Sequence, residues 1–199
     1  MLDENNNDLD LLISVIRRIA PISETDIELL IPILQTKSVK KNAYLSKQGE
    51  VSRNVYFLLS GFFRMYYVDR EGVEINYRFA DKANFIVDFQ SFLTEKPSHF
   101  YWQAMQDSRL LVLPNESIQK IYSLSPAWNN FGRLLAEHVY LQLNERVELL
   151  LFMNPEERYV HLQKSQPELI SKVSQFHLAS YLGIKPESLS RIRKRLSKK

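Results

Sequence analysis

The stretch QFHLASYLGIKPESLSRIRK, residues 175–194, decides the architecture of this chain of 199 residues. Ala179 falls where only a small side chain lets a second helix cross closely. Gly183 is free to take a positive φ and so end a first helix. Pro186 suits the first turn of a new helix, where its fixed φ fits and its missing N–H has no intrahelical partner, and Lys185 before it is pushed out of helical space. Phe176, Leu178 and Leu182 on the first helix, with Leu189, Ile192 and Leu196 on the second, place apolar side chains at helical spacing. The pattern predicts a helix-turn-helix. The opposite face of its second helix offers Glu187, Ser188, Ser190, Arg191, Arg193, Lys194 and Arg195 to a ligand, for which double-stranded DNA is the expected class.

Charge points the same way. Residues 185–199 hold seven Lys/Arg against the single acid Glu187, a net of +6, whereas the whole chain is +3, so residues 1–184 carry −3. This places positive potential where a phosphate backbone would dock, with salt-dependent affinity as the consequence.

The length and 45% hydrophobic content suffice for one good core and a smaller second one, and ten Tyr, eleven Phe and two Trp argue against disorder. The chain has no cysteine, so disulfides, thiolate nucleophiles and cysteine-ligated metal centres are excluded. The first residues, MLDENNND, are acidic and polar where a secretory signal is basic and then apolar, and no apolar run reaches the length of a membrane span. A cytoplasmic location is expected.

Leu9, Leu12, Ile13, Ile16 and Ile19 keep helical spacing up to Pro21, and Ser23, followed by Glu24, Asp26 and Glu28, starts a second helix. From about Lys37 the pattern turns to short β-like runs over 43–46, 55–59, 62–68, 73–79, 100–105 and 110–113. Turn signals at Gly49, Gly61, Gly72 and Pro97 punctuate them, as in a small sandwich or roll. A short helix is predicted over 116–122 and a long one over 126–152. On the latter, Trp128, Phe131, Leu135, Val139, Leu143, Val147 and Leu150 recur every three or four residues. So broad an apolar surface needs two partners: one side is expected to cover the roll and the other a second copy of the chain. Asn154 and Pro155 then supply an N-cap and a first-turn proline for a further helix. The division that follows is 1–122 for a β-roll sensor, 123–153 for a dimerisation helix and 154–199 for the DNA-binding domain.

With GIKPESLSRI at residues 183–192, QGE at 48–50 and VYFLLSG at 55–61, the chain resembles the cyclic-AMP receptor protein and FNR family of bacterial transcription regulators over almost its full length. The resemblance implies an α+β fold: an antiparallel β-roll of the cyclic nucleotide-binding type with flanking helices, a long dimer helix and a terminal helix-turn-helix. It also implies DNA, a second copy and RNA polymerase as partners. Glu187 matches the family's recognition-helix glutamate, an acceptor for a cytosine amino group, and Arg191 its base-reading arginine, suited to guanine O6 and N7. Ser188 and Ser190 would bond a base edge or a phosphate, and Arg193, Lys194 and Arg195 the backbone. Pro186 stands where the cyclic-AMP receptor has another arginine.

The effector end departs from the family pattern. Cyclic-AMP binders of this fold hold the ribose with Gly-Glu, the cyclic phosphate with Arg-Ser and the adenine with Thr-Ser on the long helix. Here those places carry Val87-Asp88, Ser98-His99 and Leu143-Asn144. Without the arginine a buried cyclic phosphate would be left unpaired, so an effector other than cyclic AMP is expected in this pocket. Arg64, Arg78 and Arg109 in the roll are read as facing solvent. The lack of cysteine excludes an FNR-type iron–sulfur cluster, and a haem would have only His99 or His138 as axial candidates. No cofactor or metal is expected.

Two rival readings stand beside this one. A cupin-like metal enzyme would need ligands assembled from His99, His138, His161 and His177, which are scattered and include no His-x-His pair. A regulatory module acting through protein contact is the other, because a helix-turn-helix is a shape before it is a DNA reader.

Overall fold

The computed structural model describes residues 2–197, and Lys198 and Lys199 of the basic tail lie outside the described residues. The N-terminal segment forms α1 (Leu2–Ile19) and α2 (Glu24–Leu30), followed by a 3₁₀ turn, Ile31–Ile33. Ser23 caps α2 in a capping box: its hydroxyl accepts from the Asp26 N–H, and Asp26 accepts from the Ser23 N–H. Strands follow as β1 (Gln35–Val39), β2 (Tyr44–Ser46), β3 (Asn54–Ser60), β4 (Phe63–Val68), β5 (Glu74–Ala80) and β6 (Phe85–Ile86). The short helix α3 (Phe89–Thr94) precedes β7 (Tyr101–Ala104) and β8 (Ser108–Pro114).

The strands build two four-stranded sheets, in the orders β1-β8-β3-β6 and β2-β7-β4-β5, a jelly-roll-like core. In the first sheet β8 is central and antiparallel to both neighbours, with Gln35 opposite Val112 and Val55 opposite Leu113. β3 is buried on both faces, which explains its unbroken apolar run. Alternate residues Val55, Phe57 and Leu59 join Leu111 and Leu113 of β8 in one cluster with Leu12 and Ile16 of α1, and Ile27 and Leu30 of α2. Gly61, between β3 and β4, adopts φ +108°, and a Cβ there would collide with Ser108.

The sequence did not single out β1, β6, α3 or the later helix α7 (Pro167–Lys172). β6 spans two residues and α3 and α7 six each, too short to display a period. β1 carries exposed Gln35, Thr36, Lys37 and Ser38, so it shows no apolar alternation.

The second half is helical: α4 (Asn115–Leu124), α5 (Pro126–Phe152), α6 (Pro155–Ser165), α7 (Pro167–Lys172), α8 (Gln175–Tyr181) and α9 (Pro186–Leu196). No helix among the described residues is long and apolar enough to cross a membrane. Trp128, Phe131 and Leu135 of α5 belong to the same buried cluster as β3 and β8. The Trp128 indole N–H donates to the Asp26 carbonyl at 2.9 Å, and Ser125 Oγ donates to Asp26 Oδ1 at 2.6 Å.

This corrects the expected dimer stripe. Trp128, Phe131, Leu135 and Val139 are buried within a single copy, so they have no surface left for a second one. Beyond them α5 changes character: Leu143 is half-buried, and Tyr140, Leu141, Val147, Leu150, Leu151 and Phe152 are exposed.

The chain groups into two compact units, Met1–Met65 with Phe79–Val139, and Tyr66–Arg78 with Tyr140–Lys199. The division read from sequence differs from this at two places. The tip of the β4–β5 hairpin joins the C-terminal unit, where Asn76 bonds to α8, and α5 is shared between units at Val139. Arg64, expected in solvent, is buried, with Nε and Nη2 both donating to Gln103 Oε1 at 3.0 and 2.6 Å. Arg109 pairs with Asp8 at 2.7 Å.

Candidate nucleic-acid interface

Ser174 caps α8, its hydroxyl accepting from the His177 N–H at 3.3 Å. Gly183 ends the turn after α8 with φ +68°, and the Ile184 N–H reaches back to the Ala179 carbonyl at 3.0 Å. Lys185 is extended, and Pro186 occupies the first turn of α9. Leu178, Ala179, Leu182, Leu189 and Ile192 are all buried, the close crossing that the small Ala179 predicted. Phe176 departs from the expectation: it is 54% exposed and meets the His177 ring edge to face instead of joining the buried residues of the helix pair.

The outer face of α9 is cationic and open. Glu187, Ser190, Arg191, Arg193, Lys194 and Arg195 are exposed and Ser188 is half-buried. Arg191 Nη2 donates to Ser188 Oγ at 3.3 Å, one turn earlier, so the two expected DNA contacts also touch each other. Arg195 forms an ion pair with Glu156 in the first turn of α6. Gln175, Pro186, Glu187, Ser190 and Arg191 line a shallow concavity of about 580 Å³, and Gln175 Nε2 donates to the Pro186 carbonyl at 3.1 Å.

A polar framework inside the same unit holds this helix pair, and sequence reasoning missed it. Asn76, fully buried, donates from its backbone N–H to Ser180 Oγ at 2.9 Å and from Nδ2 to the His177 carbonyl at 3.2 Å. Ser180 Oγ donates onward to the Glu74 carbonyl. The Arg146 guanidinium lies 4.0 Å from the centre of the Tyr181 ring, and its Nη2 donates to the Tyr181 carbonyl. Arg158 donates from Nε to the Leu182 carbonyl at 3.0 Å and from Nη1 to the Met153 carbonyl at 2.7 Å, tying α6 to the C-terminal ends of α8 and α5. Burial and then the nearby Arg146 charge push the Arg158 guanidinium down from its ordinary value. Burial does the same to Arg78, whose Nη2 donates to Gln142 Oε1 at 3.1 Å; it too was expected in solvent.

The expected effector residues are brought together only in part. Asp88 is buried and caps α3, Oδ1 accepting from the Ser91 N–H at 3.2 Å while Oδ2 accepts from Ser98 Oγ at 2.5 Å. Val87 is in the core, whereas His99 is exposed. Leu143 and Asn144 belong to the other unit, where Asn144 Nδ2 donates to Glu148 Oε1. The Ser98 hydroxyl proton is thus committed to the Asp88 carboxyl. Among the described residues no group of three or more His, Asp or Glu is placed to hold a metal ion.

Comparison with known proteins agrees with this geometry. The cyclic nucleotide-binding domain family matches residues 36–124. FixK2 from Bradyrhizobium japonicum has 17% identity and a TM-score of 0.71, with 83% of this chain and 85% of that one covered. CLP, a c-di-GMP-responsive global regulator of Xanthomonas campestris, has 18% identity and a TM-score of 0.68, covering 88% and 92%. A transcriptional regulator of the crp/fnr family from Eubacterium rectale has 18% identity and a TM-score of 0.68, covering 88% and 84%. A search of the curated proteins found no match. The resemblance read from sequence therefore holds as a fold: a cyclic nucleotide-binding roll, a long helix and a helix-turn-helix.

Proposed function

We propose that this chain is a DNA-binding transcription regulator of Crp/Fnr type, acting as a homodimer in the cytoplasm, with the roll taking an effector other than cyclic AMP. One observation carries the reading: α9 buries Leu189 and Ile192 and turns Glu187, Ser190, Arg191, Arg193 and Lys194 to solvent. Cationic side chains flanking one acceptor suit a duplex, with phosphates held by charge and a base edge read by direction. The exposed apolar side chains of α5, Tyr140, Leu141, Val147, Leu150, Leu151 and Phe152, support a second copy, because a lone subunit would leave them in water. Two helix pairs related by a twofold axis would enter successive major grooves about 34 Å apart, on a pseudo-palindromic site.

The test is enrichment of duplexes from a randomised library at two salt concentrations. Enrichment of a palindromic site whose affinity falls with salt supports the reading. A protein that retains no duplex at low salt and instead co-purifies with another protein refutes it in favour of the protein-contact module.

A further inference from the structure

We infer that Gln175 is a positioning residue for base reading, setting the first turn of the recognition helix through the Pro186 carbonyl; this rests on the DNA-binding reading above. The first turn of α9, like those of α4 and α7, lacks the side-chain cap that fixes several other helix starts in this chain. Ser23, Asn154 and Ser174 cap α2, α6 and α8 with side-chain oxygens, whereas Lys185, at the same place before α9, makes no side-chain cap bond. What reaches this turn is the Gln175 amide from across the helix pair, donating to the Pro186 carbonyl at 3.1 Å. Gln175 is itself the first residue of α8, whose start Ser174 fixes. The restraint on α9 therefore comes from an element already anchored.

Glu187 follows Pro186 directly, and Ser190 and Arg191 complete the same concavity. A base contact tolerates displacement of only about 0.5 Å before its geometry is lost. Loosening the first turn moves Glu187 most, while Lys194, two turns on, keeps its place. The bond is between exposed groups, so its removal leaves the fold intact and changes discrimination instead.

A duplex enriched from the randomised library on wild-type protein, together with its single-base-pair variants, serves as the probe. Affinities are measured for wild type, Gln175→Ala, Gln175→Glu (the same shape without the donor), Glu187→Ala and the Gln175→Ala/Glu187→Ala double variant. Both Gln175 variants should lose about fivefold in discrimination at the base pair that Glu187→Ala affects, the worth of one hydrogen bond. Gln175→Ala should keep the wild-type salt dependence, and the double variant should discriminate no worse than Glu187→Ala alone. Unchanged discrimination overturns the inference. So does a loss at a different base pair that adds to that of Glu187→Ala, which would make Gln175 a direct reader. If the wild type enriches no duplex at low salt, the DNA-binding reading falls first and takes this inference with it.

Discussion

Val147→Glu should split the proposed dimer while leaving each subunit folded. Val147 is 52% exposed in a single copy, and Tyr140 and Leu151, seven residues before and four after, share its side of α5 at 66% and 71%. Fully burying a valine side chain is worth about 2 kcal/mol, so covering the exposed half of Val147 contributes about 1 kcal/mol per copy. A twofold interface uses the residue twice, giving about 2 kcal/mol, or roughly a thirtyfold change in dissociation constant from lost burial alone. The glutamate adds the cost of desolvating two like charges near one axis, which takes the expected loss beyond about a hundredfold. Sedimentation over a range of protein concentrations reads the dissociation constant, and far-ultraviolet circular dichroism checks that helix content is unchanged. The comparison variant is Leu135→Glu, which puts a charge into the cluster formed with β3 and β8 and should unfold the subunit instead. A Val147→Glu protein that sediments as the wild type would refute the assignment of this face, and a wild type that stays monomeric at tens of micromolar, or about 6 kcal/mol of association, would refute the dimer.

Arg191→Ala should relax preference at one base pair per half-site, whereas Lys194→Ala should weaken binding to all duplexes alike and lower the salt slope by about one per subunit; equal losses on specific and random duplexes for both would contradict that division. Asp26 lies below the ordinary carboxylate range because Ser125, and then Ser23, donate to it, so it stabilises the fold above the unfolded carboxylate value and loses that contribution as pH falls through its lower folded value. Ser125→Ala should raise the Asp26 pKa, reduce stability at neutral pH and leave a smaller acid-side loss that is complete at higher pH; carboxyl NMR titration checks this, and an unmoved Asp26 would refute the stated cause. Gly61→Ala should cost about 3 kcal/mol, from the strained φ together with the collision with Ser108, and lower the thermal midpoint. A midpoint unchanged within a degree would mean that this turn yields.

Local chemistry made much of the molecule legible in advance. Ser23, Asn154, Pro155, Gly183 and Pro186 each act within a few residues of themselves, and α5 begins and ends where its pattern does. The long-range polar contacts were not legible. Asn76 and His177 are 101 residues apart, and an asparagine in a turn-flanked strand reads as a surface residue until the partner that allows its burial is known. The first half of the dimer stripe, Trp128 to Val139, was misassigned for a related reason. Periodicity tells which residues share a face but not what covers it, so the first half of α5, packed into its own subunit, looked the same as the second.

The same distinction governs the charge. The sequence assigns +6 to residues 185–199, yet counterion release follows phosphates neutralised rather than formal charge. Arg195 already faces Glu156, so any phosphate it takes must compete with a carboxylate in the first turn of α6, where the helix dipole favours that carboxylate. Arg191 is tethered toward Ser188 and beside Glu187, on the concave surface suited to a base edge. Of the described cations on α9, Arg193 and Lys194 are then the two whose exposed charge is not drawn into an ion pair or toward the concavity. A twofold dimer doubles them to four, which corresponds to a salt slope of about −3.6 from this helix. In the proposed complex, specificity and general affinity would thus separate along one helix: the first turn, restrained by its neighbour, would meet the base, and the last two turns the backbone.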